Sequence, residues 1–261
     1  MIHRNDQRRR VLITGASRGI GAVIARRLYE QGDQIIPTAR KAVDLQRYER
    51  WESNSPERCQ AMLLDLLNPE SIDTLSETLL ARSPTLDVII HNAGIAPSAP
   101  FLKTKDGDWS RAMQVNLFGP QRLTRNLLPT LLKSNAGRVV FIASVAGLTG
   151  FAYTSAYCAT KHAQVGLMRA LATEYAKSPV TFNAICPGFV ETDMTRAAVN
   201  AIQEKTGRGE EEARGALEAF NPQGRLIQAE EVAHLVESLI SGEALGINGQ
   251  AFALDGGQVM R

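Results

Sequence analysis

The sequence predicts an α/β fold in which a seven-stranded parallel sheet, doubly wound, is covered by helices on both faces. Two observations carry this. Short apolar runs alternate with longer amphipathic stretches along nearly the whole chain, and strand–helix alternation of this kind builds a parallel sheet with both faces buried. The chain also has 261 residues, 44% of them hydrophobic and 21% charged, which is enough apolar material for one α/β domain with a buried sheet.

Taken in order, the first apolar run, 11–13, leads directly into a glycine-rich turn and a helix-like stretch at 20–31. Further strand-like runs follow at 34–37, 61–64, 87–90, 139–143, 180–185 and 251–254, separated by helix-like stretches at 69–82, 108–132, 155–177 and 229–240. One segment breaks the alternation. Residues 191–223 are rich in Glu, Arg, Ala and Gly and carry a helical pattern over 210–220 with Ala213, Leu217 and Phe220 as its apolar face, so they read as an inserted lid. There is no internal repeat or low-complexity stretch, and a single domain over 1–261 is expected. In such a sheet ligands bind beyond the carboxyl ends of the strands, near the reversal in strand order. Thr14, His91, Ser144 and Pro187 would emerge there.

A formal net charge of +2, with basic residues scattered except at Arg8, Arg9 and Arg10, is too small to imply a nucleic-acid or acidic-membrane partner, and a nucleic-acid-binding role through those three arginines is the weaker alternative. Those three arginines read as a solvated leader. Cys59, Cys158 and Cys186 are widely spaced with no Cys-x-x-Cys, which argues against a disulfide framework and a zinc site; no metal is expected, and a reducing, cytoplasmic setting fits. Residues 1–7 are polar, the apolar 11–13 is too short for a signal core, and no run reaches membrane-spanning length.

A glycine-rich turn between a first strand and a helix lets backbone N–H groups approach a pyrophosphate, whose charge the helix N-terminus favours. Gly15, Gly19 and Gly21 are placed to do this, in a Gly-x-x-x-Gly-x-Gly spacing that the strand–turn–helix context separates from an ordinary turn. A site for NAD(H) usually offers a carboxylate about 20 residues further on, to bind the ribose hydroxyls. Here that region reads Pro37-Thr-Ala-Arg-Lys41. Arg40, Lys41 and Arg18 would surround a phosphate instead, which favours NADP(H) over NAD(H); the other reading leaves them as solvated charges at a helix start. Asp65 is placed either to accept from the adenine amine or to cap a turn.

Reducing a carbonyl by hydride needs a proton for the developing alkoxide and a donor that holds the oxygen. Tyr157 and Ser144 would supply these. A free phenol has a pKa near 10, and Lys161, one helical turn beyond Tyr157, is expected to lower it by stabilising the phenolate. The same lysine would hydrogen-bond the nicotinamide ribose.

With these residues in hand, the chain resembles the short-chain dehydrogenase/reductase family, in its shorter subfamily, over nearly its whole length. The resemblance rests on Thr14-Gly-Ala-Ser-Arg-Gly-Ile-Gly21, His91-Asn-Ala-Gly94, Val115-Asn-Leu-Phe-Gly119, Ser144, Tyr157, Lys161, Pro187-Gly188 and Leu254-Asp-Gly-Gly257. It implies a Rossmann-type fold and a catalytic set of Ser144, Tyr157, Lys161 and Asn116, with Asn116 holding a water that relays protons through Lys161. It extends the cofactor contacts to Ser17, Ile20, Leu66, Pro187 and Gly188, puts Asn92, Ala93 and Gly94 beside the adenosine ribose, and puts Val190 and Thr192 at the nicotinamide carboxamide. Two positions depart from the family pattern. His91 replaces an asparagine and is expected to be a structural donor; Cys158 stands where Ser or Ala is usual and is expected to be a small buried thiol.

The lid and Asn221-Pro-Gln-Gly-Arg225 resemble those of members that reduce 3-oxoacyl thioesters or polyketides, or that act on small hydroxy acids and alcohols. The expected partner is thus a small-molecule carbonyl or alcohol substrate, an acyl thioester among them, with Arg196, Lys205 and Arg208 as candidates for its phosphate-bearing arm or as plain surface charge. A dehydrogenase of a hydroxy acid or cyclic alcohol and a non-catalytic NADP-sensing protein are the alternatives. The resemblance also implies a homotetramer or homodimer built on helices 108–132 and 155–177, whose Ala163, Val165, Leu167, Met168 and Leu171 suit either a core stripe or an interface.

Overall fold

The computed structural model describes residues 8–83 and 85–260; the polar segment 1–7 lies outside the described residues. Seven strands form one all-parallel sheet in the order β3-β2-β1-β4-β5-β6-β7: β1 Arg10–Ile13, β2 Gln34–Ala39, β3 Met62–Leu63, β4 Val88–His91, β5 Arg138–Ile142, β6 Thr181–Pro187 and β7 Ala251–Leu254. The chain winds outward from β1 to β3 and then returns to lay β4 against the other side of β1. The reversal opens a crevice at the carboxyl ends of these two central strands.

Alternate residues of each strand face opposite ways, so each face of the sheet has its own core. Val11 and Ile13 pack with Ile24 and Leu28 of α1 (Gly19–Glu30) and with Val232 and Val236 of α9 (Ala229–Ile240). Leu12 faces the other way, into a core with Ile72 and Leu79 of α3 (Pro69–Arg82), Leu127 of α5 (Gly119–Leu131) and Met168 of α6 (Ser155–Glu174). Val165 and Met168 are thus core residues, with the half-buried Leu167 and Leu171 packed against that core. α3 starts where the Asn68 side chain accepts from Glu70 N at 2.9 Å with Pro69 in its first turn, a standard helix start.

The stretch expected as one helix over 108–132 is a column of two helices, α4 (Asp106–Met113) and α5, joined by a π turn at Gln114–Phe118 that contains Asn116. Such wide turns inside helices recur at functional sites. A 3₁₀ stretch Ala42–Tyr48 and α2 (Glu49–Asn54) were not anticipated, and the lid segment, read as helical, holds α7 (Asp193–Thr206) ahead of α8 (Glu210–Glu218). The arginines at 8–10 do not form a solvated leader. Arg8 is exposed, but Arg9 clasps Asp33 (Nε–Oδ1 3.0 Å, Nη2–Oδ2 2.6 Å) and reaches Ile240 O, while Arg10 opens β1, buried, its N–H bonded to Asp87. Among the described residues no helix is long and apolar enough to cross a membrane.

Candidate active site

The crevice is built by sewing the loop after β4 onto the turn after β1. Thr14 Oγ1 accepts from the N–H groups of Asn92 and Ala93, each at 3.0 Å, and Asn92 Nδ2 donates to the carbonyls of Thr14 and Gly15, each at 2.9 Å. The contact is close enough to require glycine. Gly15 has φ +67°, and a Cβ there would lie 2.9 Å from Ala93 Cα; a Cβ on Gly21 would lie 2.5 Å from both Asn92 Nδ2 and Gly15 O. The Asn92 amide is therefore spent on scaffold, and only the remaining edges of 92–94 face the crevice.

The end of β2 is tied to the same turn. Ala16 N donates to Thr38 O at 2.8 Å, so Arg18 and Arg40 each follow a hydrogen-bonded pair by two residues. Arg18, Arg40 and Lys41 are all exposed, and Arg18 Nε lies 3.9 Å from the Asp193 carboxylate. A fourth cation joins them: Arg47 Nη1 donates to Ser17 O at 2.8 Å. Sequence reasoning missed Arg47 because only the 3₁₀ stretch brings it back to the turn. Ile20 is half-buried and packs on the core. Asp65 Oδ1 accepts from Leu67 N at 2.9 Å and its own N–H donates to Ser71, the turn-capping reading of this residue. Leu66 turns its side chain into the core and its carbonyl accepts from Gln114.

At the other end of the crevice Ser144 follows β5 and caps the short turn Val145–Gly147, accepting from Ala146 N at 3.1 Å. The Ser144 side chain is the group that favours the Tyr157 phenolate. Lys161 lies one turn along α6, 3% exposed, its Nζ 5.6 Å from the Tyr157 ring centre and donating to Ile142 O and to Gln164 Oε1, each at 3.0 Å. The expected lowering of the phenol by this lysine is not found. Burial pushes Tyr157 up to about 12 against the smaller opposing effect of Ser144, and burial brings Lys161 down to about 8. The ammonium is turned toward Ile142 and Gln164, and desolvation is the largest influence on the phenol. At neutral pH the pair is a protonated phenol beside a protonated amine.

Asn116 is fully buried. Its Oδ1 accepts from Ile95 N at 2.9 Å, its Nδ2 donates to Ile95 O and to Thr160 Oγ1, and its main-chain oxygen accepts from Gln164 Nε2 at 2.5 Å. That main-chain oxygen, in the π turn, is engaged by a side chain that sequence reasoning passed over. The available signal was a glutamine on the buried stripe of α6, three residues after Lys161. His91 is structural: buried, stacked 4.7 Å from Phe141, its Nε2 2.7 Å from Thr124 Oγ1, and held neutral because burial lowers its pKa to about 3. Cys158 is half-buried rather than buried, with Sγ 3.3 Å from Thr154 Oγ1.

Beyond Pro187 and Gly188, Val190 is buried and its carbonyl accepts from Thr195 Oγ1, while Thr192 caps α7 and its methyl lies 3.4 Å from where a Cβ on Gly19 would stand. The start of the lid segment therefore overhangs the glycine turn. α7 and α8 share a small core of Val199, Ala213, Leu217 and Leu226, and Arg214 ties α8 to Glu191. Phe220 lies past α8 and packs between Phe151 and Phe189. Arg196 and Arg208 are surface charges paired with Asp193 and Glu212, and Lys205 is exposed. They form no free basic patch.

Comparison with known proteins identifies the family. Residues 9–203 match the family model described as short chain dehydrogenase. The chain is 34% identical over 249 residues to the 3-oxoacyl-[acyl-carrier-protein] reductase FabG of Vibrio cholerae, covering 95% of this chain and 96% of that protein. Among solved structures, a variant actinorhodin polyketide ketoreductase with NADPH superposes with a TM-score of 0.90 at 32% identity, over 96% of this chain and 97% of that one. ElxO with NADP bound gives a TM-score of 0.85 at 26% identity, over 97% and 99%. The chain belongs to the short-chain dehydrogenase family, and is a nicotinamide-dependent oxidoreductase acting on the CH–OH/C=O pair.

Proposed function

We propose that this enzyme is an NADPH-dependent ketoreductase whose substrate is a 3-oxoacyl thioester or a related keto compound. The observation that carries the reading is the arrangement of the site: Ser144 at the end of β5, the Tyr157 phenol, which burial favours over its phenolate, and the buried Lys161, whose Nζ lies 5.6 Å from the Tyr157 ring centre. A protonated phenol is ready to give a proton to an alkoxide, the step reduction needs; oxidation would need the phenolate.

The residues fit a dinucleotide. Gly94 keeps a cradle open where a Cβ would stand 3.3 Å from Asn116 Oδ1 and 3.7 Å from Lys161 Nζ. Gly15, Gly19 and Gly21 with the start of α1 would receive the pyrophosphate, and Arg18, Arg40 and Lys41 the additional phosphate that distinguishes NADP(H). Lys161 would hold the nicotinamide ribose, and Val190 and Thr192 the carboxamide. When bound, the cofactor supplies the hydride. Ser144 then holds the substrate oxygen, Tyr157 protonates it, and Lys161 stabilises the phenolate left behind.

For the substrate, support comes from the relatives that reduce 3-oxoacyl carrier-protein esters and polyketides and from the aromatic trio Phe151, Phe189 and Phe220, which offers an apolar wall to an acyl chain. Residues 191–223 would act as the lid. The neutralised Arg196 and Arg208 give no support to recognition of a phosphate-bearing arm by these residues. A homo-oligomer through the α4–α5 column is part of this reading, with Phe118 50% exposed there. The test is NADPH oxidation against 3-oxoacyl thioesters, cyclic ketones and aldehydes, with NADH and Tyr157→Phe as controls. Turnover of acetoacetyl thioesters with NADPH, lost in Tyr157→Phe, is expected. Activity confined to free alcohols would overturn the substrate assignment, and tight NADPH binding with no turnover would identify a sensor.

A further inference from the structure

We propose that Gln164 is a positioning residue for the chemistry, fixing Lys161 against β5 and holding it in its ammonium form while tying it to the π turn at Asn116. Gln164 is 1% exposed, on a stretch of α6 where its neighbours Val165 and Met168 are core residues. A primary amide is retained at such a position only where partners compensate its lost hydration. Both ends have one: Oε1 accepts from Lys161 Nζ at 3.0 Å and Nε2 donates to Asn116 O at 2.5 Å. The amide can face only one way. An ammonium only donates and a carbonyl only accepts, so the flipped amide would set N–H against N–H and oxygen against oxygen.

The surroundings leave this role to the amide. From α6 itself Lys161 faces the neutral Tyr157 ring, and from β6 the Cys186 thiol, which burial pushes up to about 11. The π turn Gln114–Phe118 and the turn Val145–Gly147 carry no titratable side chain. On α4, Asp106 and Arg111 are exposed, and Asp108 caps its own helix at Lys105 N. Among the described residues no carboxylate pairs with Lys161. Its charge is therefore solvated by two neutral oxygens, Ile142 O and Gln164 Oε1. Removing one of the two favours the uncharged amine; replacing it with a carboxylate favours the ammonium.

The decisive experiment is titration of Lys161 by ¹³Cε NMR in the cofactor-free, full-length protein, its resonance assigned by loss in Lys161→Arg. Gln164→Leu and Gln164→Met should lower the midpoint by about one pH unit, and Gln164→Glu should raise it. Met is close to Gln in volume and keeps the test open should the Leu variant fold poorly. The kinetic arm rests on the reductase reading: the alkaline limb of kcat should move in the same two directions, with a larger effect on kcat than on the KM for NADPH. A structural role alone would change thermal stability and leave every midpoint in place; unmoved midpoints in folded Leu and Met variants overturn the proposal. Should no carbonyl compound be turned over, the reductase reading falls while the lysine titration still decides the role of Gln164.

Discussion

Tyr157 and Lys161 are displaced from their ordinary pKa values in opposite directions, the phenol upward to about 12 and the amine downward to about 8, in each case chiefly by burial. The consequence for pH has a definite sign. Lys161 carries its proton below about 8 and loses it above, and a neutral amine cannot stabilise the phenolate that forms as the proton leaves. Tyr157 keeps its proton across that range, and His91 is neutral down to about 3, so neither adds a limb near neutrality. The reduction rate should therefore be flat through neutral pH and fall as pH rises past about 8, and the limb should vanish in Lys161→Arg, which stays charged. A pH profile of kcat/KM on wild type and variant checks this. Tyr157→Phe removes the proton donor and should lower kcat by about 100-fold or more, with NADPH affinity measured by fluorescence titration largely kept. At the cofactor end, Gly21→Ala puts a methyl 2.5 Å from Asn92 Nδ2 and from Gly15 O, a backbone atom that cannot step aside. It should weaken cofactor binding and lower Tm together, since the same contact holds the β1 turn to the loop after β4.

Two elements of equal chemistry should respond differently to the same truncation. Leu217 is buried in the small core shared by α7 and α8, whereas Leu12 is buried at the centre of the sheet. Each Leu→Ala change costs about 2–5 kcal/mol. The cluster around Leu217 has only four buried residues, so that loss is a large share of what holds the lid segment, and Leu217→Ala should loosen 191–223 locally, raising the substrate KM with little change in Tm. Leu12→Ala should instead lower Tm by about 10 °C and leave KM unchanged. The contrast between these elements also explains what could be read from sequence. The strands of a sheet buried on both faces are short, mostly apolar runs, and all seven announce themselves that way although Thr181 and Asn183 interrupt β6, with only their ends displaced, as where β2 runs on through Thr38 and Ala39. α1, α3 and α9 fall where their apolar stripes put them. The π turn was invisible because one extra residue in a turn leaves the apolar pattern on either side intact. α2, with only Trp51 apolar, lacks the stripe that would mark a helix, and α7 carries a narrow one in which Val199 is the one apolar residue buried. At the site, Ser144, Tyr157, Lys161 and the glycines stand out by type and spacing. Arg47 and Gln164 do not, since a surface arginine and a helix glutamine gain meaning only from what folding brings beside them.

Across the whole molecule the crevice runs from wet to dry. At the end of β2, Arg18 is 73% exposed by its side chain and Arg40 and Lys41 are also exposed, whereas at the ends of β4 and β5 Asn116 and Lys161 are buried, 0% and 3% exposed. Charge interactions at the first end act through water and added ions, which screen them beyond about 8 Å at physiological salt and more closely at higher concentration. Those at the second end act through protein and are screened little. Binding and chemistry should then separate under salt. Raising ionic strength from about 0.05 to about 0.5 M should raise the KM for NADPH several-fold while leaving kcat nearly constant, and the KM for NADH, which lacks the additional phosphate, should change far less. Arg40→Ala should mimic the effect at low salt, raising the NADPH KM about tenfold, as expected for one lost charge-assisted hydrogen bond, and should flatten the remaining salt dependence. Steady-state kinetics with both cofactors over a salt series measure all of this; an equal salt response for NADPH and NADH would mean that the exposed cations at the end of β2 do not bind the additional phosphate.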